Sequence, residues 1–169
     1  MRYTSVAAAL GLTLLSLHTS LAGQKPEPPV DVRSVALLER GKAARAAGNL
    51  PAANDLIESA LVVDPRNRAA FVTLAEIARA QGLQGKAIRF YREALALQPT
   101  DIAALKGQGE AMVAKGAVVR AKENLAKIRQ LCSDQCAEGA QLSAVIAKGP
   151  PPQVAAAVQA EAAKVVGEN

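Results

Sequence analysis

Gly48, Gly82 and Gly116 recur at one fixed interval, Ala53, Ala87 and Ala121 keep the same spacing, and Pro65 and Pro99 mark it again. Each interval carries apolar residues at helical period, a glycine near its middle and a proline near its end. A repeat of about 34 residues with that pattern cannot bury a core alone and forms a helical hairpin that becomes stable when neighbours stack on it. The spacing therefore predicts an all-α chain, an α-solenoid of three antiparallel helix hairpins followed by a C-terminal capping helix. Such a chain works by presenting a repeated surface.

The repeats start after a segment that reads as a secretory signal, residues 1–22. Arg2 supplies the positive start, and Val6 to Leu17, VAAALGLTLLSL, is an apolar run. That run is shorter than the roughly 20 residues a membrane-spanning helix needs, so no stable span is expected after processing. Ser20-Leu21-Ala22 puts small residues where a leader peptidase reads them, which sets cleavage between Ala22 and Gly23. Lipoprotein processing would need a cysteine next, and Gln24 stands there instead. The mature chain is expected to be periplasmic or secreted.

Loss of the leader removes Arg2 and His18, so the formal charge of +5 drops by one unit and no histidine remains. The other basic residues alternate with Asp and Glu and are not grouped among aromatics, an arrangement unlike a nucleic-acid surface. After the leader the aromatics are Phe71, Phe90 and Tyr91. A core of Ala, Leu, Val and Ile is shallow, which suits stacked hairpins.

Three prolines make residues 23–31 an extended linker. Asp31 is placed to cap the first helix, Gly48-Asn49 breaks it, Pro51 suits the first turn of the second, and Asp64-Pro65 ends the unit. The second unit reads as a helix from Ala70 to Gln81, a turn at Gly82, a helix from Gly85 to Leu97 and a stop at Gln98-Pro99. The third runs from Asp101 through Gly116 to about Leu131. The units are thus 32–66, 67–100 and 101–133, with a capping helix in 134–148. Gly149 and three prolines open the tail, 149–169, which is expected to be flexible or partly helical because a short detached helix is marginal in water.

In the middle unit Phe71, Leu74, Ala75, Gly82, Ala87, Tyr91, Ala94 and Pro99 fall in the order and spacing of a tetratricopeptide repeat, which the chain resembles over residues 32 to 132. The outer units depart from that pattern at Arg40, Gln108 and Ser133. Terminal units face solvent on one side and tolerate polar intrusions. The resemblance implies a small exported bacterial protein of that family whose groove binds a peptide or protein partner. Its groove positions map onto Val35, Leu38, Lys42 and Arg45, then Val72, Glu76 and Arg79, then Lys106, Glu110 and Val113. Lys42, Glu76 and Glu110 share one row and read as ligand-contacting or mutually solvated charges. The Asn and Lys of the carboxylate clamp in chaperone-binding relatives are replaced here, so that specificity is not carried over.

Cys132 and Cys136, in LCSDQC, read as one disulfide in an oxidising compartment, a staple between the last repeat and the cap. A redox role would want Cys-x-x-Cys on a mixed α/β pattern, and two thiolates do not complete a zinc site. No metal or cofactor is expected. Without histidine, a Gly-flanked nucleophile or a phosphate loop, the chain offers no catalytic constellation. The reading is an exported interaction module or scaffold. The alternatives are a regulatory accessory subunit of a cell-envelope enzyme or polysaccharide-export machine, and a thiol-redox protein.

Gly41, Ala75 and Gly109 are read as facing Ala53, Ala87 and Ala121 where antiparallel helices approach within about 8–10 Å. A larger side chain there forces the helices apart. Ala87→Leu should cost about 1–3 kcal/mol, and an unchanged melting temperature in that variant would refute the register.

Overall fold

The computed structural model describes residues 28–132 and 136–167, and side chains through residue 160. The leader, the junction of Ala22 and Gly23 and the first part of the linker lie outside the described residues. Helices make up nearly all of what is described: α1 (Val32–Ala46), α2 (Leu50–Val63), α3 (Arg68–Ala80), α4 (Gln84–Leu97), α5 (Ile102–Ala114), α6 (Val118–Cys132), α7 (Ala137–Lys148) and α8 (Pro152–Gly167). α1–α2, α3–α4 and α5–α6 pair as hairpins, and α1, α3, α5 and α7 stand side by side along the array. The architecture is the all-α hairpin array that the regular spacing predicts.

Local chemistry accounts for the helix ends. Asp31, Asn49, Asn67 and Asp101 cap α1, α2, α3 and α5 by accepting from backbone N–H groups with their side chains. Pro51 lies in the first turn of α2, where a missing N–H leaves no bond unmade. Gly48, Gly82 and Gly116 sit at φ of +77°, +74° and +85°, a conformation that costs a side-chain-bearing residue. α3 starts at Arg68, before the Ala70 that the sequence reading gives, because Asn67 supplies the cap.

The core is spread along the array in four clusters. Leu38, Ile57, Leu74 and Ile77 join the first two units. Tyr91, Ala87 and Ala104 join the second to the third. Leu105, Leu125, Ile128 and Leu142 bring in α7, and Met112, Val113 and Ala121 complete the third hairpin. The small slots explain the close approaches. A methyl on Gly41 would run into Ile57 and stand 3.3 Å from the Ala53 carbonyl, as the sequence reading requires. Gly109 departs from it. Its nearest neighbour is not Ala121 but Leu142 of α7, 2.7 Å from where a Cβ would lie, so this slot seats the capping helix.

Polar ties brace the units internally and, at Ser34 and Asn67, join the first to the second. Ser34 Oγ donates to the Ala60 carbonyl at 2.7 Å and accepts from Asn67 Nδ2 at 2.8 Å. The Asp31 N–H donates to Asp64 Oδ2 at 2.9 Å. Hydrogen bonds from Arg33 hold the Asp31 carboxyl down at about 2. Asp64 is also lowered, chiefly by the backbone N–H groups of Asp31 and Arg66. Both carboxyls therefore stay charged well into acid, and the brace is lost only as pH falls through these lowered values. Gln108, a departure from the family pattern, is buried and used: Asn124 Nδ2 donates to its Oε1 at 2.9 Å and to the Leu105 carbonyl at 3.0 Å.

At the C-terminus the capping helix is present as α7, packed on α5 and α6, and one expectation is refined. The tail is not detached: it forms α8, whose Val154 and Val158 lie against Gly116 of the third turn. Cys132 at the end of α6 and Cys136 at the cap of α7 stand at disulfide distance, with Cα atoms 5.7 Å apart.

Tyr91, the largest fully buried side chain, fits because residue 107 has no side chain. Gly107→Ala would drive a methyl into the Tyr91 ring and hydroxyl, lowering stability by about 1–3 kcal/mol. Gly85→Ala, where the nearest atom is Lys115 Nζ at 3.9 Å, should leave stability unchanged or raise it by up to about 1 kcal/mol. Thermal unfolding of the two variants checks this pair, and equal midpoints would refute it.

Candidate functional site

The groove positions fall on α1, α3 and α5, whose side-by-side packing brings residues one period apart into rows. Because each row repeats along the array, a charge in one unit meets the unit that follows. Arg45 Nη1 lies 2.5 Å from Glu76 Oε2, and Arg79 Nη2 lies 2.5 Å from Glu110 Oε2. The two arginines share a row and so do the two glutamates. Together they form a two-rung ladder in which each unit's arginine is neutralised by the next unit's glutamate. Lys106 reaches Glu110 at 4.0 Å and donates to Gln141 Oε1 of α7 at 2.8 Å.

The second rung is set deeper than the first. The side chains of Arg79 and Glu110 are 32% and 15% exposed, against 36% and 43% for Arg45 and Glu76. Beneath it is the Tyr91 hydroxyl. Burial pushes the Tyr91 phenol up, while Arg79 opposes that shift. Burial alone would lower Arg79, but Tyr91 and Glu110 outweigh it and raise the guanidinium above its ordinary value. Arg79, paired with Glu110, therefore stays charged.

An open cleft of about 480 Å³ runs over the ladder, lined by Arg45, Glu76, Arg79 and Glu110 together with Gln84 and Ala114. A second, more apolar cleft of about 570 Å³ shares Glu110 and Ala114 with it and continues over Val113, Val145 and Pro150 to Pro152. A third, of about 580 Å³, lies over the first unit, where Val35, Leu38 and Lys42 meet Arg66, Arg68 and Leu97.

The sequence-derived groove is thus divided. Arg45, Glu76, Arg79 and Glu110 are brought together. The row of Lys42, Glu76 and Glu110 does not act as a unit, because each glutamate pairs with an arginine and Lys42 pairs with Glu39 at 2.9 Å. The sequence reading offers Leu38 and Val113 as side-chain contacts for a ligand. They are core residues, 3% and 2% exposed, because the neighbouring helix covers them. Val72 packs toward the Tyr91 cluster. Val35 remains 42% exposed. Sequence reading missed Gln84, the hydroxyl of Tyr91 and the proline wall at 150–152. Only spatial adjacency reveals them. Among the described residues no cluster of three or more His, Cys, Asp or Glu side chains suits a metal ion, and no helix is long and apolar enough to cross a membrane.

No family model matches the chain, and no curated protein matches it in sequence. Solved structures do match in fold. The first TPR domain of Spaghetti, bound to an HSP90 peptide, is 20% identical with a TM-score of 0.62, over 69% of this chain and 93% of that one. The Yersinia enterocolitica type III secretion chaperone SycD, in complex with a peptide of the translocator YopD, is 18% identical with a TM-score of 0.60, over 70% and 89%. A Thermobaculum terrenum O-GlcNAc transferase is 25% identical with a TM-score of 0.60, over 68% of this chain and 22% of the enzyme, so the match spans about a fifth of that protein.

The ladder's two rungs should differ in worth. Arg79→Ala leaves a largely buried carboxylate without its closest partner and should destabilise by about 1.5–3 kcal/mol. Arg45→Ala breaks a half-exposed pair and should cost about 0.2–1 kcal/mol. Denaturant unfolding measures both, and equal losses would contradict the burial difference.

Proposed function

We propose that this tetratricopeptide-repeat protein is an exported, non-catalytic interaction module that holds a peptide or protein partner in the cleft over the Arg45–Glu76 and Arg79–Glu110 ladder. The observation that carries the reading is that the charges lining this cleft pair with one another across unit boundaries and partly in water. A partner segment with an acidic side chain can replace Glu76 at Arg45 without stranding a buried charge, since the displaced carboxylate is left near water. The neighbouring cleft, where Val145 and Pro150 to Pro152 are accessible, supplies apolar contact to the same segment. Peptides are bound by two of the proteins of like fold, Spaghetti and SycD. Export rests on the leader at residues 1–22, with the Cys132–Cys136 staple suited to an oxidising compartment.

Chemical crosslinking in native cells followed by mass spectrometry identifies the partner and the residues it touches. Crosslinks should fall on Lys42, Lys106 and Lys148 around the groove. The double reversal Arg45→Glu, Arg79→Glu should reduce capture of that partner at least tenfold in pull-down from native cells. Retained capture by the folded variant would reject the groove.

A further inference from the structure

The positive charge of this chain is concentrated on two helices. α4 carries Lys86, Arg89 and Arg92 against Glu93, and α6 carries Arg120, Lys122, Lys127 and Arg129 against Glu123. With Lys115, in the turn before α6, these are eight cations against two carboxylates, a formal charge of +6. The whole chain has +5, so everything else sums to −1. α2, the corresponding helix of the first unit, carries Asp55 and Glu58 and no base.

The cations of α4 and α6 are also placed differently from the others. Arg33, Lys42, Arg45, Arg66, Arg68 and Arg79 each meet a carboxylate. Among the described residues the one ion pair on α4 and α6 joins Arg92 to its sequence neighbour Glu93, at 3.7 Å. Seven of the eight cations are exposed, and Lys86, the eighth, is half-buried over the Phe90 ring, 5.5 Å from its centroid. α4 and α6 both pack on α5, outside the row of α1, α3, α5 and α7. Ala87, Tyr91 and Ala94 of α4, like Ala121, Leu125 and Ile128 of α6, are the buried positions, which leaves the cations on the outer faces.

Apolar side chains stand among these cations where the second and third hairpins turn. Lys115 reaches across to α4, its Nζ 3.9 Å from where a Cβ of Gly85 would be. Leu83, Lys86, Lys115 and Val154 line one open cleft of about 450 Å³ there. α8 adds Val158, 2.9 Å from where a Cβ of Gly116 would be. Leu83 is 49% exposed, Val158 48%, and Val119, in the first turn of α6, 73%.

We propose that this edge, with the outer faces of α4 and α6, is a docking surface for an anionic lipid bilayer. Cations near a negatively charged headgroup layer are attracted to it, and apolar side chains beside them enter the interface. A soluble polyanion would satisfy the cations but give Leu83, Val119 and Val158 nothing to bury. Nucleic acid fits less well, because stacking on bases needs an accessible aromatic face, and here Tyr91 is buried and Phe90 is half-buried under Lys86. None of these cations or exposed apolar residues lines the charged cleft over the ladder, so the inference stands apart from the peptide reading.

The test is co-sedimentation with vesicles, using the chain that begins at Gly23 so that the apolar run of the leader cannot insert. Vesicles of phosphatidylglycerol and phosphatidylcholine should be bound about tenfold more tightly, or better, than vesicles of phosphatidylcholine alone, and added salt should narrow the difference. Arg120→Glu, Lys127→Glu should weaken that binding about tenfold or more. The matched reversal Arg40→Glu, Lys42→Glu on α1 changes the net charge equally and should alter binding by less than about twofold. Leu83→Gln, Val119→Gln should weaken it about threefold or more. All six positions are exposed, and circular dichroism checks that each variant keeps its helices. Equal binding to the two kinds of vesicle, or an equal loss from the α1 reversal, would overturn the inference. So would binding indifferent to the two apolar replacements, which would mark a site for soluble polyanions instead.

Discussion

Two antiparallel helices joined by so short a connection need one of its residues at positive φ, and Gly48, Gly82 and Gly116 supply it at +77°, +74° and +85°. Once the chain reverses there, the second helix must lie within contact distance of the first, and the small residues at 41 and 53, 75 and 87 become necessary. From that approach follow the side-by-side order of α1, α3, α5 and α7, the rows of residues one period apart, and the ladder that joins one unit to the next. After the capping helix, Gly149 and three prolines end the array.

No unit holds its own core. Leu74 and Ile77 of the second unit pack with Leu38 and Ile57 of the first, and Tyr91 of the second reaches the space that Gly107 leaves in the third. The polar ties run the same way, from Ser34 to Asn67, from Arg45 to Glu76 and from Arg79 to Glu110. Apolar and charged contacts thus couple the same neighbours, which makes the three hairpins one cooperative body. The groove owes its charges to this coupling: each rung is borrowed across a unit boundary.

Much of the fold was legible in particular residues. Asp31 as a cap, Pro51 in a first turn and the glycine at each reversal depend on local backbone chemistry, which a short stretch of chain expresses wherever it sits. The groove was legible only in outline. Leu38 and Val113 carry the same apolar chemistry as the exposed Val35, and which of them a neighbour covers depends on the tilt of the next helix. Glu76 and Glu110 showed as a row, yet the partners that neutralise them lie in the unit before, on another row. The capping helix was legible too, since Gly149 and three prolines mark its end.

By itself the sequence determined that the chain reverses once in every repeat, because a positive φ at glycine and a fixed φ at proline are properties of single residues. It also determined which positions must be small, since the period sets where helices approach. The tertiary structure alone decided how those units share what they carry: that Arg79 belongs to Glu110, that Gly109 belongs to Leu142, and that α8 lies against the third turn. These are pairings between residues brought together by packing, and a distance between two side chains exists only once both helices have been placed.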